Sequence, residues 1–280
     1  MLASSPHFAS AYVAAGDRTF PSRILLPQVA PADQLYVTPT TQPVSGGRST
    51  DVATNFAKTL TERFGVRFEE DYTWLGHNGA STLRGWQNLD MVTQYLAILE
   101  PAKEALVTLG VDREWGGIGA RRVGASPKGA TAPTVYFAKG MGDLDVGYLR
   151  PFAVTGNIGY QFADAPPRPD NLLTNIAVEY SIPYLQSKVR SFDLPDVLRG
   201  MTRLVEMFVT TATRNRDGNR TSVVFGPGIN YSGEGWEFII EALVPAGRGA
   251  GNGLGVAAQF NLSLDYFFPD TIGKPLFPGR

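Results

Sequence analysis

The chain has 280 residues, enough for one large domain or two ordinary ones, and its 43% hydrophobic content is typical of a folded protein. Lysine and arginine number 25 against 26 aspartate and glutamate residues, which argues against the basic face that nucleic-acid binding usually needs. The absence of cysteine excludes disulfides and thiol chemistry, and no stretch approaches the ~20 apolar residues of a membrane helix.

The first 20 residues carry neither the basic start nor the apolar core of a secretory signal. If the protein is exported, we therefore expect that this sequence is a mature form whose signal has been removed, or that its start was assigned incorrectly. Along the whole chain, 31 glycines and 20 prolines are spaced evenly. The segments between them, of roughly ten residues each, alternate between apolar and polar side chains, which is typical of transmembrane β-barrels.

Eleven strands are predicted from this alternation, and a twelfth is required because single-chain bacterial barrels have even strand numbers. The twelfth is expected within residues 18–38, although Pro21, Pro27, Pro31 and Pro39 make it the least regular. A short helix is expected in the connection between Pro183 and Met201. The eleven strands are predicted at residues 52–60, 64–74, 88–99, 105–115, 134–139, 152–162, 172–182, 202–213, 221–231, 236–244 and 254–268.

The predicted fold is therefore all-β, a single antiparallel transmembrane β-barrel of 12 strands. We expect residues 1–49 to be a partly irregular N-terminal segment that supplies the first strand. Residues 50–269 are expected to form the barrel, and residues 270–280 a C-terminal extension.

The last predicted strand has the clearest alternation. One face carries Leu254, Val256, Ala258, Phe260, Leu262, Leu264, Tyr266 and Phe268. The other carries Gly255, Ala257, Gln259, Asn261, Ser263 and Asp265. The first face suits lipid and the second suits a hydrated lumen.

Aromatic residues fall beside both sets of connections once the last strand is placed running towards the periplasm. Trp74, Trp86 and Trp115 lie beside the longer, outside loops, and Trp236, Tyr148 and Tyr184 lie beside the periplasmic turns. Two such girdles are typical of membrane interfaces. The alternative is that aromatic residues favour strand ends in any β protein.

Acidic residues dominate the face predicted to line the lumen. Carboxylates around a narrow passage favour cations and repel anions. The alternative is that the acids pair with bases such as Arg150 or Arg203 and that side chains fill the barrel. The predicted lumen-lining residues are Arg67, Glu69, Asp71, Asp112, Glu179, Glu206, Glu237, Glu241 and Asp265.

Catalytic and cofactor motifs are weak. The two histidines are His7 and His77, and no GxSxG turn accompanies His77, so a solvated loop position explains it better than a catalytic base. The glycines between Gly247 and Gly255 lack the spacing of a dinucleotide fingerprint and precede a strand. We predict no catalytic residue, no metal site and no cofactor.

Several segments resemble a family of uncharacterised bacterial outer-membrane β-barrels related to the MetA-pathway of phenol degradation proteins. The resemblance covers roughly residues 50–277. It implies an outer-membrane protein that helps small molecules to cross, and it implies no catalytic or ligand-binding residue. The segments are YLRPFAVTGNIG (148–159), EYSIPYLQ (179–186), PGINY (227–231), EALVPAGR (241–248), DYFFPDTIGKPLF (265–277), the TERFG turn within 55–71, and FAKGMGD (137–143).

The sequence therefore favours an outer-membrane β-barrel that passes small molecules or ions, with a possible preference for cations. Its expected partners are outer-membrane lipid and a small-molecule or ionic substrate, without nucleic acid, and its oligomeric state is open. Three alternatives are a plugged structural or binding barrel, a membrane hydrolase using His77, and a soluble sandwich or lipocalin-like barrel.

Overall fold

A computed structural model describes residues 13–214, 221–247, 249–251 and 253–277. In this part of the chain, twelve antiparallel strands close into a barrel, and a small hairpin, β1–β2, forms a sheet of its own. The hairpin consists of β1 (Val13–Ala15) and β2 (Arg18–Phe20). The barrel strands are β3 (Gln34–Val44), β4 (Gly47–Thr59), β5 (Phe64–His77), β7 (Asp90–Glu100), β8 (Ala105–Glu114), β9 (Ala130–Gly140), β10 (Phe152–Ala163), β11 (Asp170–Ser181), β12 (Met201–Arg214), β13 (Thr221–Ser232), β14 (Trp236–Ala246) and β15 (Gly255–Ser263).

Each barrel strand pairs with its neighbours in chain order, and β3 pairs with β15 to complete the ring. A short additional strand, β6 (Leu83–Trp86), pairs only with the far end of β5. A closed ring leaves no unpaired strand edge, which is the condition for a sheet to sit in an apolar medium. The predicted count of twelve strands and the antiparallel barrel are confirmed.

The prediction for the first strand needs a correction. It was expected within residues 18–38, but β3 begins at Gln34 and continues to Val44, and β4 begins at Gly47 rather than at residue 52. A tight turn joins them, with Gly46 at a φ of +76°, a conformation that glycine adopts without strain. The wall thus starts inside the segment 1–49, and residues 18–33 are not part of it.

Pro39 leaves a gap in the seam between the first and last strands. The β3–β15 register stops at Thr40 opposite Ala257 and resumes at Val37 opposite Phe260. Proline has no N–H to donate, so a ladder cannot continue through it on both sides. On the other side of β3, Pro39 stays in register with β4, so the chain remains on the barrel wall.

The last strand is shorter than predicted. β15 ends at Ser263, and the chain then turns into a helix, α3 (Leu264–Phe267), whose first residue is buried. The Ser263 hydroxyl donates to the Asp265 carboxylate, and the amide of Leu264 donates to the carbonyl of Asp33. Asp265 therefore lies beyond the strand end and not on the lumen face of β15, and Tyr266 and Phe268 are not on its outer face.

The helices are all short. Helix α1 (Ile182–Tyr184), a single wide turn (Leu185–Val189) and helix α2 (Asp196–Arg199) occupy the connection between β11 and β12, where a short helix was predicted. None of the helices among the described residues is long and apolar enough to cross a bilayer.

The outer face of the barrel is an apolar belt. On β14, Phe238 and Ile240 are exposed, while Glu237, Ile239 and Glu241, which alternate with them, are buried, because successive side chains of a strand point to opposite faces. The belt continues around the wall through Leu109, Val135, Ile158, Val178, Val205, Ile229 and Phe260. So large an exposed apolar surface is that of a protein embedded in lipid.

A charge in this belt should destabilise the barrel. Ile240 lies in the middle of β14 and is 47% exposed, so Ile240→Arg should lower the free energy of unfolding by about 2–4 kcal/mol, the cost of arginine near a bilayer midplane. Guanidinium unfolding in lipid vesicles, followed by tryptophan fluorescence, measures the change.

Ile118, which is 62% exposed in the connection between β8 and β9, provides the control. Ile118→Arg should change the same free energy by less than about 0.5 kcal/mol, as surface substitutions usually do. Equal losses in the two variants would contradict the assignment of the belt to lipid.

Candidate functional site

The lumen holds a part of the chain itself, residues 13–33, which we call the inserted segment. The β1–β2 hairpin lies near the end of the barrel where β10 begins, the chain then rises inside the lumen, and it returns to the same end at Asp33. Strands β1 and β2 pair with each other, and the described strand register contains no pairing between this segment and the wall. Its polar groups must therefore find other partners.

An apolar cluster fixes the hairpin against the wall. Phe20 and Val29 of the inserted segment are 1% exposed and pack among Leu106, Tyr136 and Ala138 of β8 and β9. Burying a side chain such as phenylalanine stabilises a fold by about 1.5–3 kcal/mol. This side of the lumen is thus a conventional packed core.

Arg18 is the polar anchor of the hairpin. Its guanidinium donates to the carbonyls of Arg150, Pro151 and Phe152 over 2.6–3.1 Å. It also lies 3.5 Å from the Glu104 carboxylate and 4.1 Å from the centre of the Tyr184 ring. Charge-assisted hydrogen bonds of this kind offset the cost of burying a cation.

The turn of the hairpin also demands glycine. Gly16 has a φ of +63°, and a Cβ there would fall on the carbonyl group of Pro101. A larger residue would separate the hairpin from the wall.

Carboxylates of the wall take the place of a neighbouring strand for the rising part of the segment. Glu206 accepts hydrogen bonds from the amides of Ile24 (2.9 Å) and Leu26 (2.6 Å). Glu237 accepts one from the amide of Ser22 at 3.1 Å. Both glutamates are at most 1% exposed, so these bonds form away from water, where an unmet amide would be costly.

Charged pairs complete the attachment. The Arg23 guanidinium donates to Thr155 and lies 3.8 Å from the Glu179 carboxylate. At the return point, Asp33 accepts from the amide of Thr59 at 3.0 Å and pairs with Lys58. The inserted segment is thus held at its start, its top and its end.

A cavity of about 520 Å³ occupies the lumen above the inserted segment. Residues 23–27 form its floor, and its walls reach Gln42 and Gln161 near the far ends of β3 and β10. A volume of this size accommodates a small organic molecule.

The wall of the cavity is charged on one side only. Glu69, Asp90, Asp112 and Glu114 lie on the adjacent strands β5, β7 and β8. The opposite wall is uncharged and presents Asn157, Gln161, Leu173, Asn175, Phe208, Val224 and Gln259. The cavity is therefore electrostatically asymmetric.

Several of the cavity carboxylates have protein partners. Asp112 accepts from the Tyr136 hydroxyl at 2.7 Å, and Glu114 accepts from Asn88 at 2.7 Å and pairs with Arg168. The Tyr136 ring reaches Asp112 across Gly110, where an added Cβ would lie 2.8 Å from the ring. A side chain at Gly110 would therefore displace the tyrosine.

Two cavity residues differ from the others. Among the described residues, no side chain donates a hydrogen bond to Asp90. Arg67 is only 7% exposed, yet its Nε and Nη1 atoms have no hydrogen-bond partner among the described residues. Buried polar atoms are nearly always hydrogen-bonded, so two unpaired donors on one buried guanidinium are unusual.

The predicted lumen residues fall into two sets in the structure. Glu179, Glu206, Glu237 and Glu241 are buried around the inserted segment. Arg67, Glu69 and Asp112 line the cavity, and Asp71 lies on the same face of β5. The ninth residue, Asp265, is in α3, where burial raises the pKa of its carboxyl group.

Sequence reasoning missed three residues of the site. Asp90 and Glu114 occupy alternating positions of β7 and β8, and a parity count on each strand could have found them. Arg23 could not be found in this way, because it lies on a segment without strand alternation.

The predicted interface aromatics lie at the two ends of the wall, with one exception. Trp74 and Trp86 are exposed and meet Tyr72 edge-on at 4.5 and 4.9 Å. Trp115 follows β8, Trp236 begins β14, and Tyr148 is exposed in the connection between β9 and β10. Their contact with the membrane interface stays a prediction.

Tyr184 is the exception. It is buried, and its hydroxyl donates to Glu104 at 2.7 Å. Burial and this hydrogen bond raise the pKa of Tyr184 to about 12. It belongs to the anchor of Arg18 rather than to an outer girdle.

The histidines are not part of the lumen site. His77 ends β5 and pairs with Gly47 through the backbone, and His7 lies outside the described residues. Within the described ranges, no group of three or more His, Cys, Asp or Glu side chains could hold a metal ion.

Weakening the Glu206 contact should release the inserted segment. In Glu206→Gln, one acceptor oxygen becomes an NH₂ group that faces an amide donor, which should cost about 1–3 kcal/mol. Because the chain has no cysteine, a Leu26→Cys background gives a single thiol at a residue that is 3% exposed. Maleimide labelling of this thiol should be roughly 5–150-fold faster with Glu206→Gln.

Glu62→Gln is the matched control, since Glu62 is exposed in the turn between β4 and β5. It should leave the labelling rate unchanged. An unchanged rate in Glu206→Gln as well would show that these two hydrogen bonds do not hold the segment.

Solved structures with similar folds are outer-membrane barrels. The COG4313 outer membrane channel from Pseudomonas putida F1 matches with a TM-score of 0.60 and 10% identity, covering 88% of this chain and 99% of the other. A KdgM porin matches with a TM-score of 0.50 and 11% identity over 82% and 98% of the chains. LpxR from Salmonella typhimurium matches with a TM-score of 0.50 and 10% identity over 82% and 99%.

No protein-family model matches the chain, and no curated protein matches it. The relation to the MetA-pathway of phenol degradation proteins therefore stays a prediction. At such low identities the structural matches carry the fold alone, and the fold of the chain is that of an outer-membrane β-barrel.

Proposed function

We propose that the protein is an outer-membrane channel for small polar molecules that prefers cations, and that the inserted segment closes the half of the lumen nearest the β1–β2 hairpin. The observation that carries the proposal is the charged cavity of about 520 Å³ inside a closed wall with an apolar outer belt. A structural role alone does not require a hydrated, acid-lined space in the lumen.

The acids that would select cations are those of the cavity. Glu69, Asp90 and Asp112 face the space through which an ion would move, whereas Glu179 and Glu241 are buried beneath it. Carboxylates at a constriction attract cations and repel anions, and low-dielectric walls strengthen the effect. Selectivity should therefore depend on the cavity acids and not on the buried pair.

The inserted segment would set how often the channel opens. Passage through the lower lumen requires Ile24–Leu26 to leave Glu206, because this stretch crosses the barrel interior. Its attachments are hydrogen bonds and ion pairs in addition to the apolar cluster of the hairpin. The top of the segment could thus move while the hairpin stays packed.

A plugged structural barrel is the second candidate. The buried contacts of Arg18 and Phe20 favour it, because they hold the hairpin as firmly as a protein core. The two candidates differ in whether current passes when the top of the segment is free.

A reversible lock on the segment separates them. A Cβ at Gly226 would lie 2.8 Å from Cδ1 of Leu25, so Leu25→Cys with Gly226→Cys should form a disulfide between segment and wall. In a planar bilayer with a salt gradient, the reduced protein should show openings with a cation-selective reversal potential. Oxidation should abolish the openings, and a reductant should restore them.

Each single cysteine variant, treated with the same oxidant, should keep its openings. If the reduced double variant and the Glu206→Gln variant are both silent after confirmed insertion, passage is excluded and the plugged barrel is supported. Openings that persist after complete oxidation would place the conducting path away from the inserted segment.

A further inference from the structure

Four exposed arginines lie together at one end of the wall, opposite the β1–β2 hairpin, and we call them the arginine patch. With the last strand running towards the periplasm, this end of the barrel lies outside the cell. Arg48 is near the start of β4, and Arg84 is on β6. Arg121 and Arg122 lie in a single turn that packs against β6, and the Arg122 guanidinium donates to the carbonyl of Arg84 at 2.6 Å. The four cations thus occupy one side of the outer end.

No carboxylate neutralises the patch in the connections around it. The turn between β3 and β4 and the connections 78–89 and 115–129 contain no aspartate or glutamate. The nearest acids are held by other cations, because Asp164 pairs with Arg113 and Glu114 pairs with Arg168. The patch therefore carries a net positive charge that a neighbouring anion can balance.

The strand register directs Arg48 and Arg84 away from the lumen. Arg84 is directly opposite Trp74 of β5, so their side chains share a face. Trp74 is exposed like Phe68, six residues before it, whereas Thr73 is buried inside the barrel. Arg48 is opposite Gly76, which belongs to the same outer row of β5 as Trp74. Both guanidinium groups are therefore on the outer face.

The two arginines lie just beyond the aromatic end of the belt. Tyr72 and Trp74 precede the end of β5, and Trp86 is opposite Tyr72 on β6. Aromatic side chains favour the level at which hydrocarbon meets the lipid head groups. β4 and β6 flank β5, so Arg48 and Arg84 lie on strands about 10 Å apart. A single lipid head group can therefore approach both cations.

We propose that the arginine patch binds the phosphate groups of lipid A, the glycolipid of the outer leaflet of Gram-negative outer membranes. Arg48 and Arg84 donate to the phosphates, since a guanidinium can bind a phosphate through two parallel hydrogen bonds. The acyl chains lie along the aromatic rings and the apolar belt beneath them. Arg121 and Arg122 add positive charge at the same end. This binding does not depend on passage through the barrel.

Arg203 provides a matched control within the chain. It is exposed on the outer face of β12, directly opposite Tyr180 of β11, and so also combines a cation with an aromatic neighbour. It lies near the start of β12, at the end of the wall beside the β1–β2 hairpin. Arg203→Gln therefore removes the same charge from the outer face without touching the patch.

Native mass spectrometry of the folded full chain in detergent measures the binding of added lipid. The probes are lipid A with two phosphates, the same lipid after removal of both phosphates, and phosphatidylglycerol. We expect phosphorylated lipid A to bind most tightly. Arg48→Gln and Arg84→Gln should each weaken its binding about 5-fold, and the double variant about 25-fold, the effect of one or two basic residues beside an anionic head group.

Two further variants separate charge at the patch from charge in general. Arg84→Lys keeps the charge and should retain most of the affinity, because lysine also binds phosphate as a point charge. Arg203→Gln should change the affinity less than 2-fold. A heat-modifiable band on electrophoresis verifies that every variant is folded.

Equal binding of phosphorylated and dephosphorylated lipid A would overturn the proposal. So would an unchanged affinity in the double variant, or a loss in Arg203→Gln as large as that in Arg84→Gln. Phosphatidylglycerol bound as tightly as phosphorylated lipid A would show a surface for any anionic lipid and would overturn the assignment to lipid A. Each of these outcomes leaves the channel untouched, because current through the barrel is measured separately.

Discussion

Two backbone amides held by one buried carboxylate set the interior arrangement of this protein. A closed ring of strands has no free edge, so a segment inside it cannot hydrogen-bond to the wall as another strand would. Glu206 resolves this for Ile24 and Leu26, and Glu237 does so for Ser22. The wall carboxylates thereby divide the lumen into a lower part filled by the segment and an upper part that contains the cavity.

Most of the fold could be predicted from the alternation of apolar and polar residues along the strands. The alternation predicted eleven of the twelve strands and the inward direction of residues such as Glu179 and Glu241, because successive side chains of a strand point to opposite faces. The twelfth strand followed from the even strand number of single-chain bacterial barrels. The alternation failed for residues 13–33, whose prolines and lack of periodicity suggested an irregular terminus. Their structure depends on tertiary contacts with distant strands, which local patterns do not encode.

The candidate site was predictable in composition but not in geometry. Alternation indicated that acids face inward, yet only the structure separates those that hold the inserted segment from those that line the cavity. The distinction depends on how far the inserted segment extends along the lumen, and Leu25 lies beside Gly226 of the wall at the level that it reaches. The unpaired donors of Arg67 are likewise a three-dimensional property, because the same residue was a plausible partner for any inward acid.

The interrupted seam at Pro39 bears on how the barrel assembles. β3 directly follows the inserted segment and must meet β15, more than two hundred residues later in the chain, before the ring closes. Contacts between such distant residues form slowly, because a large loss of chain entropy precedes them. The pairing of β3 with β15 is therefore the slowest contact of the ring to form, and the ladder interrupted at Pro39 is the one that closes the barrel around the inserted segment.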